Sequence, residues 1–352
     1  MEEEIQKYVR RVRLPLKKSF KLSHGTYNFR ENVFFLIKYK SFSGVGEAPV
    51  VPYYNHSPEL IEKDLEKVGT EELSEFLTKG KLKNFDWDIP VDTMPARCAV
   101  ESALIDLLSQ ISGITPGRYI GVVDYKIPPT SYTVTGSTPD EVIADAMTSP
   151  SPILKVKAGV GDDWGIISKL TETFPGYLYR IDVNQGWTMD EAIKKISLLE
   201  KLNIELIEEP VKGSFEEIEI IAKETSIPVF IDESFQTMED LYCLLDKAPS
   251  VKGLVVKLAK SGGPIKALSL IHAAHKNGLD VMLSSMVESS VGVRAAASIA
   301  PLCRYVDLDS PWLFKQDPFN LLKYNGNKII LPDNLSYLKI INGILAKLFI
   351  NK

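Results

Sequence analysis

The sequence predicts an α/β protein in which a closed parallel barrel is joined to a separate α+β domain. Three observations predict it. From about residue 130 onward, short β-branched runs alternate at regular intervals with amphipathic stretches of helical period. Charged residues gather at the far ends of those runs, and the first 125 or so residues lack the alternation altogether.

In chain order, residues 1–125 come first. "SFKLSHGTYNF" and "NVFFLIKYKSFSGVGEA" read as an antiparallel sheet with a Gly-rich turn, followed by helices up to "AVESALIDLLSQISG". Residues 126–315 then hold eight strand-like runs: "SYTV" (131–134), "ILKVKA" (153–158), "LYRIDVN" (178–184), "IELIEE" (204–209), "PVFIDE" (228–233), "GLVVKL" (253–258), "DVMLSS" (280–285) and "YVDLDS" (305–310). Helical stretches such as "TPDEVIADAM" and "TMDEAIKKISLLEKL" separate them, the second with Thr188 and Glu191 at capping-box spacing. Eight strands with crossover helices suit a closed barrel, whereas open doubly wound sheets more often stop at about five or six strands. Residues 316–352, with "NKIILP" and "LSYLKIINGILAKLF", are apolar enough to need a partner, and the N-terminal domain is the expected one.

Composition narrows the function classes. The 352 residues allow about two domains, and they are 45% hydrophobic and 25% charged, as in an ordinary globular protein. The formal charge of −5, 41 basic against 46 acidic side chains, gives no footprint for nucleic acid. No apolar run is long enough for a membrane span, and "MEEEIQKYVRRVR" does not read as a secretory signal, so a cytoplasmic address is expected. Cys98, Cys243 and Cys303 lie far apart in apolar surroundings and are expected to be reduced core residues. Assembly into a homo-oligomer is left open.

Polar residues concentrate where a barrel would carry chemistry. Asp182 and Asn184 close the third strand, Glu208 and Glu209 the fourth, Asp232 and Glu233 the fifth, and Asp307 and Asp309 the eighth. In a barrel these ends converge on one mouth. One acid there is commonly a helix cap, but carboxylates on three consecutive strands repel one another unless a cation neutralises them. Asp182, Glu208 and Asp232 therefore read as an all-oxygen site for a hard divalent ion, with Mg2+ the best fit.

The second run holds Lys155 and Lys157, which share a face at the period of two, and Lys257 on the sixth strand lies across the ring. A proton next to a carboxylate is too weakly acidic for a side chain to remove unaided, so the enediolate needs the electrostatic help of a metal ion. A lysine can act as the base if a neighbouring ammonium and a metal lower its pKa. Lysines on opposite faces of the carbon imply racemisation or epimerisation.

The series "KVK", "DVNQGW", "IEEPV", "IDES" and "VVKLAKSGG" resembles the enolase superfamily, in its muconate lactonising subgroup. The likeness extends over almost the whole chain, including the "GVGEAP" loop and the "ESALIDLL" helix. It implies a (β/α)7β TIM-type barrel with an α+β capping domain formed by the N-terminal region and the C-terminal segment. It further implies Lys157 and Lys257 as acid/base residues, Lys155 as their electrostatic neighbour, and Asp182, Glu208 and Asp232 as Mg2+ ligands. "DLDSP" resembles the dipeptide epimerases of the subgroup, where Asp307 and Asp309 would hold the α-ammonium of a dipeptide; two carboxylates at period two suit such a cation. Ser285, Met286 and His24 are the further substrate contacts implied.

The expected activity is thus Mg2+-dependent inversion of the C-terminal α-carbon of an L,L-dipeptide of the L-Ala-L-Glu kind. One departure bears on the substrate. Where the L-Ala-L-Glu enzymes have an arginine for the substrate's side-chain carboxylate, this chain has His24 or Gly25, with no arginine until Arg30, and Lys21, His24 or Arg30 are the candidates to take its place. The alternatives are an o-succinylbenzoate synthase or N-succinylamino acid racemase, which need no Asp307/Asp309 pair, and a non-catalytic metal-binding barrel.

Overall fold

The computed structural model describes residues 5–22, 25–78, 88–123, 126–136 and 138–332. Strands β1 (Gln6–Leu22), β2 (Gly25–Tyr39) and β3 (Phe42–Ala48) form an antiparallel sheet in that order. The stretch expected to hold a Gly-rich turn is β3 itself, and the turn before it is made by Lys40 at φ 56. Gly44 and Gly46 are small for a packing reason. The helix Met94–Ile111 lies directly on β3, and a Cβ on Gly44 would stand 2.0 Å from the Ala103 carbonyl oxygen, one on Gly46 1.9 Å from that of Ala99.

All eight strands expected between residues 126 and 315 form: β4 (Tyr132–Val134), β5 (Ile153–Lys157), β6 (Leu178–Asp182), β7 (Ile204–Glu208), β8 (Val229–Ile231), β9 (Gly253–Lys257), β10 (Asp280–Ser284) and β11 (Tyr305–Asp307). They are parallel neighbours in chain order, and a parallel bridge from Thr130 to Val306 brings the two ends of the sheet together. A helix follows each of the first seven strands, while the eighth runs into a 3-10 turn, Ser310–Leu313. That is the (β/α)7β pattern. The helix Met189–Leu199 begins with the reciprocal Thr188/Glu191 capping box.

Leu206, Phe230, Val255, Met282 and Tyr305 fill the barrel floor. Arg180 is buried among them, donating to the Val306 carbonyl at 2.7 Å and pairing with Glu205 at 2.6 Å. One ion pair and one hydrogen bond fasten the long helix of the cap across the two parts: Asp106 meets Arg294 at 2.9 Å, and Glu101, paired with Arg97 on the same helix, accepts the Ile265 N–H at 2.7 Å. Beyond the barrel, Phe314, Phe319 and Leu321 pack with Leu14, Leu16 and Phe34 of the N-terminal sheet. A hairpin of β12 (Lys323–Asn325) and β13 (Lys328–Ile330) follows, and the expected "LSYLKIINGILAKLF" element lies outside the described residues. The cysteines are free, but Cys243 is only half-buried, on a surface helix, and so is not the core residue its apolar neighbours suggested. Among the described residues no helix is long and apolar enough to cross a membrane.

Because the Ala99 carbonyl cannot retreat without unseating a buried helix, Gly46→Ala should cost about 1–3 kcal/mol of stability, as overpacking does. Urea unfolding at neutral pH measures it.

Candidate active site

Lys155 and Lys157 alternate along β5 with Leu154 and Val156, which are buried in the apolar core. The two lysines do not share one fate. Lys155 is enclosed, with its Nζ 2.9 Å from Asp182, 2.8 Å from Glu208 and 2.9 Å from Asp307. Lys157 keeps a quarter of its side chain accessible and donates to Asp182 at 2.5 Å and to Asn184 Oδ1 at 2.9 Å. Four strands away, Lys257 at the end of β9 donates to Asp232 at 2.5 Å. Lys260, one helical turn on, holds the other oxygen of the same carboxylate and the Phe235 carbonyl.

This packing sets the protonation states. Burial favours the neutral amine of Lys257, yet Asp232 and Glu208 outweigh it and hold the ammonium above its usual pKa. The same balance, with Asp182, Asp307 and Glu208 as the anions, raises Lys155. Sequence reasoning expected a neighbouring ammonium to lower a lysine; the carboxylates dominate instead. Burial opposes ionisation of Asp182, but Lys155 and Lys157 keep its carboxyl below the usual range. Glu208 moves the other way, pushed well up by burial and then by Asp182.

Among the described residues no three acids, histidines or cysteines are gathered tightly enough to hold a metal as they stand. Asp182, Glu208 and Asp232 are each drawn to an ammonium. The donor chemistry nonetheless fits a hard cation. Glu208 is fully buried with no hydrogen-bond donor on either oxygen, because Lys155 approaches it as a charge and not along a hydrogen-bond direction. Glu233 next to Asp232 likewise leaves Oε2 without a donor. Uncommitted buried carboxylate oxygens are what a divalent ion with oxygen ligands requires.

The cleft above these groups carries the other expected residues. Asp307 accepts from the Ser131 hydroxyl at 2.7 Å and from Ser284 at 2.9 Å, while Asp309 accepts the Thr133 N–H at 2.5 Å. Burial, with Asp307 beside it, pushes the Asp309 carboxyl up to about 7. Ser285 and Met286 line the same cleft, and His24 lies outside the described residues. Sequence reasoning missed several contributors. Lys260 had a signal, three residues after Lys257 on a helical turn; Tyr53 and Tyr54, which reach the cleft from the capping domain, had none. Arg30 on β2, one of the basic residues the sequence offered in place of the missing arginine, does line it, nine-tenths buried, with the guanidinium 3.8 Å over the Tyr27 ring and Nε without a partner.

An eight-stranded barrel with acids and lysines at its C-terminal mouth and a capping sheet over it defines a class of enzyme-like scaffold. Residues 144–333 match the enolase C-terminal domain-like family. The chain belongs to that family and so to the enolase superfamily. It is 31% identical to an L-Ala-D/L-amino acid epimerase of Maribacter sp., over 91% of this chain and 93% of that one. It is 32% identical to the L-Ala-D/L-Glu epimerase of Bacillus subtilis, over 96% of each. The substrate-liganded structure of that enzyme superposes with a TM-score of 0.84, covering 94% of this chain and 96% of the other. A dipeptide epimerase of Cytophaga hutchinsonii, complexed with Mg and D-Ala-L-Val, is 28% identical with a TM-score of 0.78, over 95% and 94% of the two chains.

Lys155 is the sole ammonium touching Asp307 among the described ion pairs, and it holds that buried carboxyl below its usual range, so Lys155→Met strands a buried charge. A loss of about 3–5 kcal/mol is expected in urea unfolding with a chelator present, as for other buried pairs broken on one side.

Proposed function

We propose that this chain is a Mg2+-dependent dipeptide epimerase that inverts the α-carbon of the C-terminal residue. The observation that carries the reading is the placement of Lys157 and Lys257 four strands apart in a ring of eight, around a cleft that also presents Asp307 and Asp309. The relatives' names support it at about 30% identity.

In this reading Asp182, Glu208 and Asp232 hold the ion, which when bound supplies the electrostatic stabilisation that an enediolate demands. Everything else is done by side chains. Asp307 and Asp309, oriented by Ser131, Ser284 and Thr133, hold the α-ammonium of the dipeptide. The neutral lysine on one face takes the α-proton onto its Nζ, and the ammonium on the opposite face delivers a proton to the same carbon. The carbon is inverted and the two lysines have exchanged protonation states. Lys157 suits the acid/base role better than Lys155: both line the cleft, but Lys157 keeps a quarter of its side chain accessible and pairs with one carboxylate, whereas three enclose Lys155. Lys155 then acts as a fixed charge among Asp182, Glu208 and Asp307.

The Asp307/Asp309 pair favours a dipeptide over an N-succinylamino acid or an o-succinylbenzoate precursor, which bring no ammonium to neutralise it. Arg30 points to the second residue. A buried guanidinium with an uncommitted Nε suits a carboxylate from the substrate, so an acidic side chain of the L-Ala-L-Glu kind is the proposed preference.

Two outcomes test this. With Mg2+ in D2O, wild-type protein should exchange the α-proton of L-Ala-L-Glu, read as a one-unit mass gain. Lys157→Ala and Lys257→Ala should each lower inversion by at least about 100-fold, with one of them still labelling a single diastereomer; full activity in both would sink the two-base assignment. Separately, the ratio of kcat/KM for L-Ala-L-Glu over L-Ala-L-Gln should fall by about 10- to 100-fold in Arg30→Met. The ratio is insensitive to the fraction of folded enzyme, and an unchanged value would remove Arg30 from the specificity site.

A further inference from the structure

Glu209 takes no part in the chemistry above, yet it is fully buried and its backbone is held at φ 41. A non-glycine residue seldom adopts that left-handed conformation, and it persists only where the surroundings enforce it. The surroundings here are the ends of two neighbouring strands. Glu209 Oε2 accepts the Asp232 N–H at 2.8 Å, while Oε1 accepts the Ser234 N–H at 3.2 Å, the Ser234 hydroxyl, and Gln185 Nε2 at 2.9 Å. Its own N–H donates to the Phe230 carbonyl and its carbonyl accepts the Gln185 N–H, both at 2.9 Å.

Every group facing the carboxylate is a donor. An amide in its place would set N–H against N–H on one side, so the site calls for a carboxylate and not merely for a polar side chain of this length. One side chain thus fastens together the ends of β6, β7 and β8, from which Asp182, Glu208 and Asp232 project. Partners of this kind behind a metal's ligands commonly govern affinity as strongly as they govern geometry.

We infer that Glu209 is a positioning residue that fixes the spacing of Asp182, Glu208 and Asp232 for a divalent cation, an inference that rests on reading those three as the Mg2+ site. The test is calorimetric titration of the full chain with MgCl2 alone, on wild type, Glu209→Gln and Ser234→Ala, beside melting curves recorded in chelator. Glu209→Gln should weaken Mg2+ binding by about 10- to 100-fold and Ser234→Ala by a smaller factor. A lower melting temperature with unchanged Mg2+ affinity would mean a purely structural brace and overturns the inference, leaving the metal site intact. If Glu209→Gln does not fold, Ser234→Ala decides, and unchanged affinity there overturns it too. Wild-type protein that binds no Mg2+ overturns the metal site and the inference together.

Discussion

The constraint on which the rest depends is charge neutrality at the barrel mouth. A parallel barrel must deliver the C-terminal ends of all its strands to one face, and this sequence loads those ends with carboxylates. Asp182, Glu208, Asp232 and Asp307 are each at most 5% exposed, where an unpaired carboxylate would cost several kcal/mol. The ammonium groups of Lys155, Lys157, Lys257 and Lys260 answer them. These charges are answered by proximity and not by solvent.

Glu208 shows where the balance is incomplete. Its neighbours Asp182 and Asp232 are hydrogen-bonded by lysines, while both of its own oxygens lack a donor. Glu208 thus meets Lys155 as a charge alone, with no hydrogen bond to either oxygen.

The scaffold around the mouth is correspondingly stiff. Gly44 and Gly46 let the helix Met94–Ile111 lie against β3, and Asp106 and Glu101 on that helix reach Arg294 and the Ile265 N–H of the barrel. On the other face of the sheet, Phe34 packs against Phe319 at 4.6 Å after the chain has left the barrel. The capping residues that face the cleft, Arg30, Tyr53 and Tyr54, therefore stand on a sheet and loop anchored from both sides. Packing thus sets their distance from the lysines.

Much of this was legible in the sequence because it is local. The period of two put Lys155 and Lys157 on one face; β-branched runs separated by capped helices gave all eight barrel strands; acids ending consecutive strands marked the mouth. Local pattern misled at "SGVG", where glycines read as a turn are strand residues kept small by a helix some fifty positions on. It was silent on which of two lysines would be enclosed, on Glu209 as the tie between strand ends, and on the lack of a hydrogen-bond donor at Glu208. Those depend on which side chains meet across the ring. The sequence by itself determined the strands, their inward faces and the inventory of charges; only the tertiary structure decided their pairing, because closing the barrel brings together residues such as Lys155 and Asp307 that lie far apart along the chain.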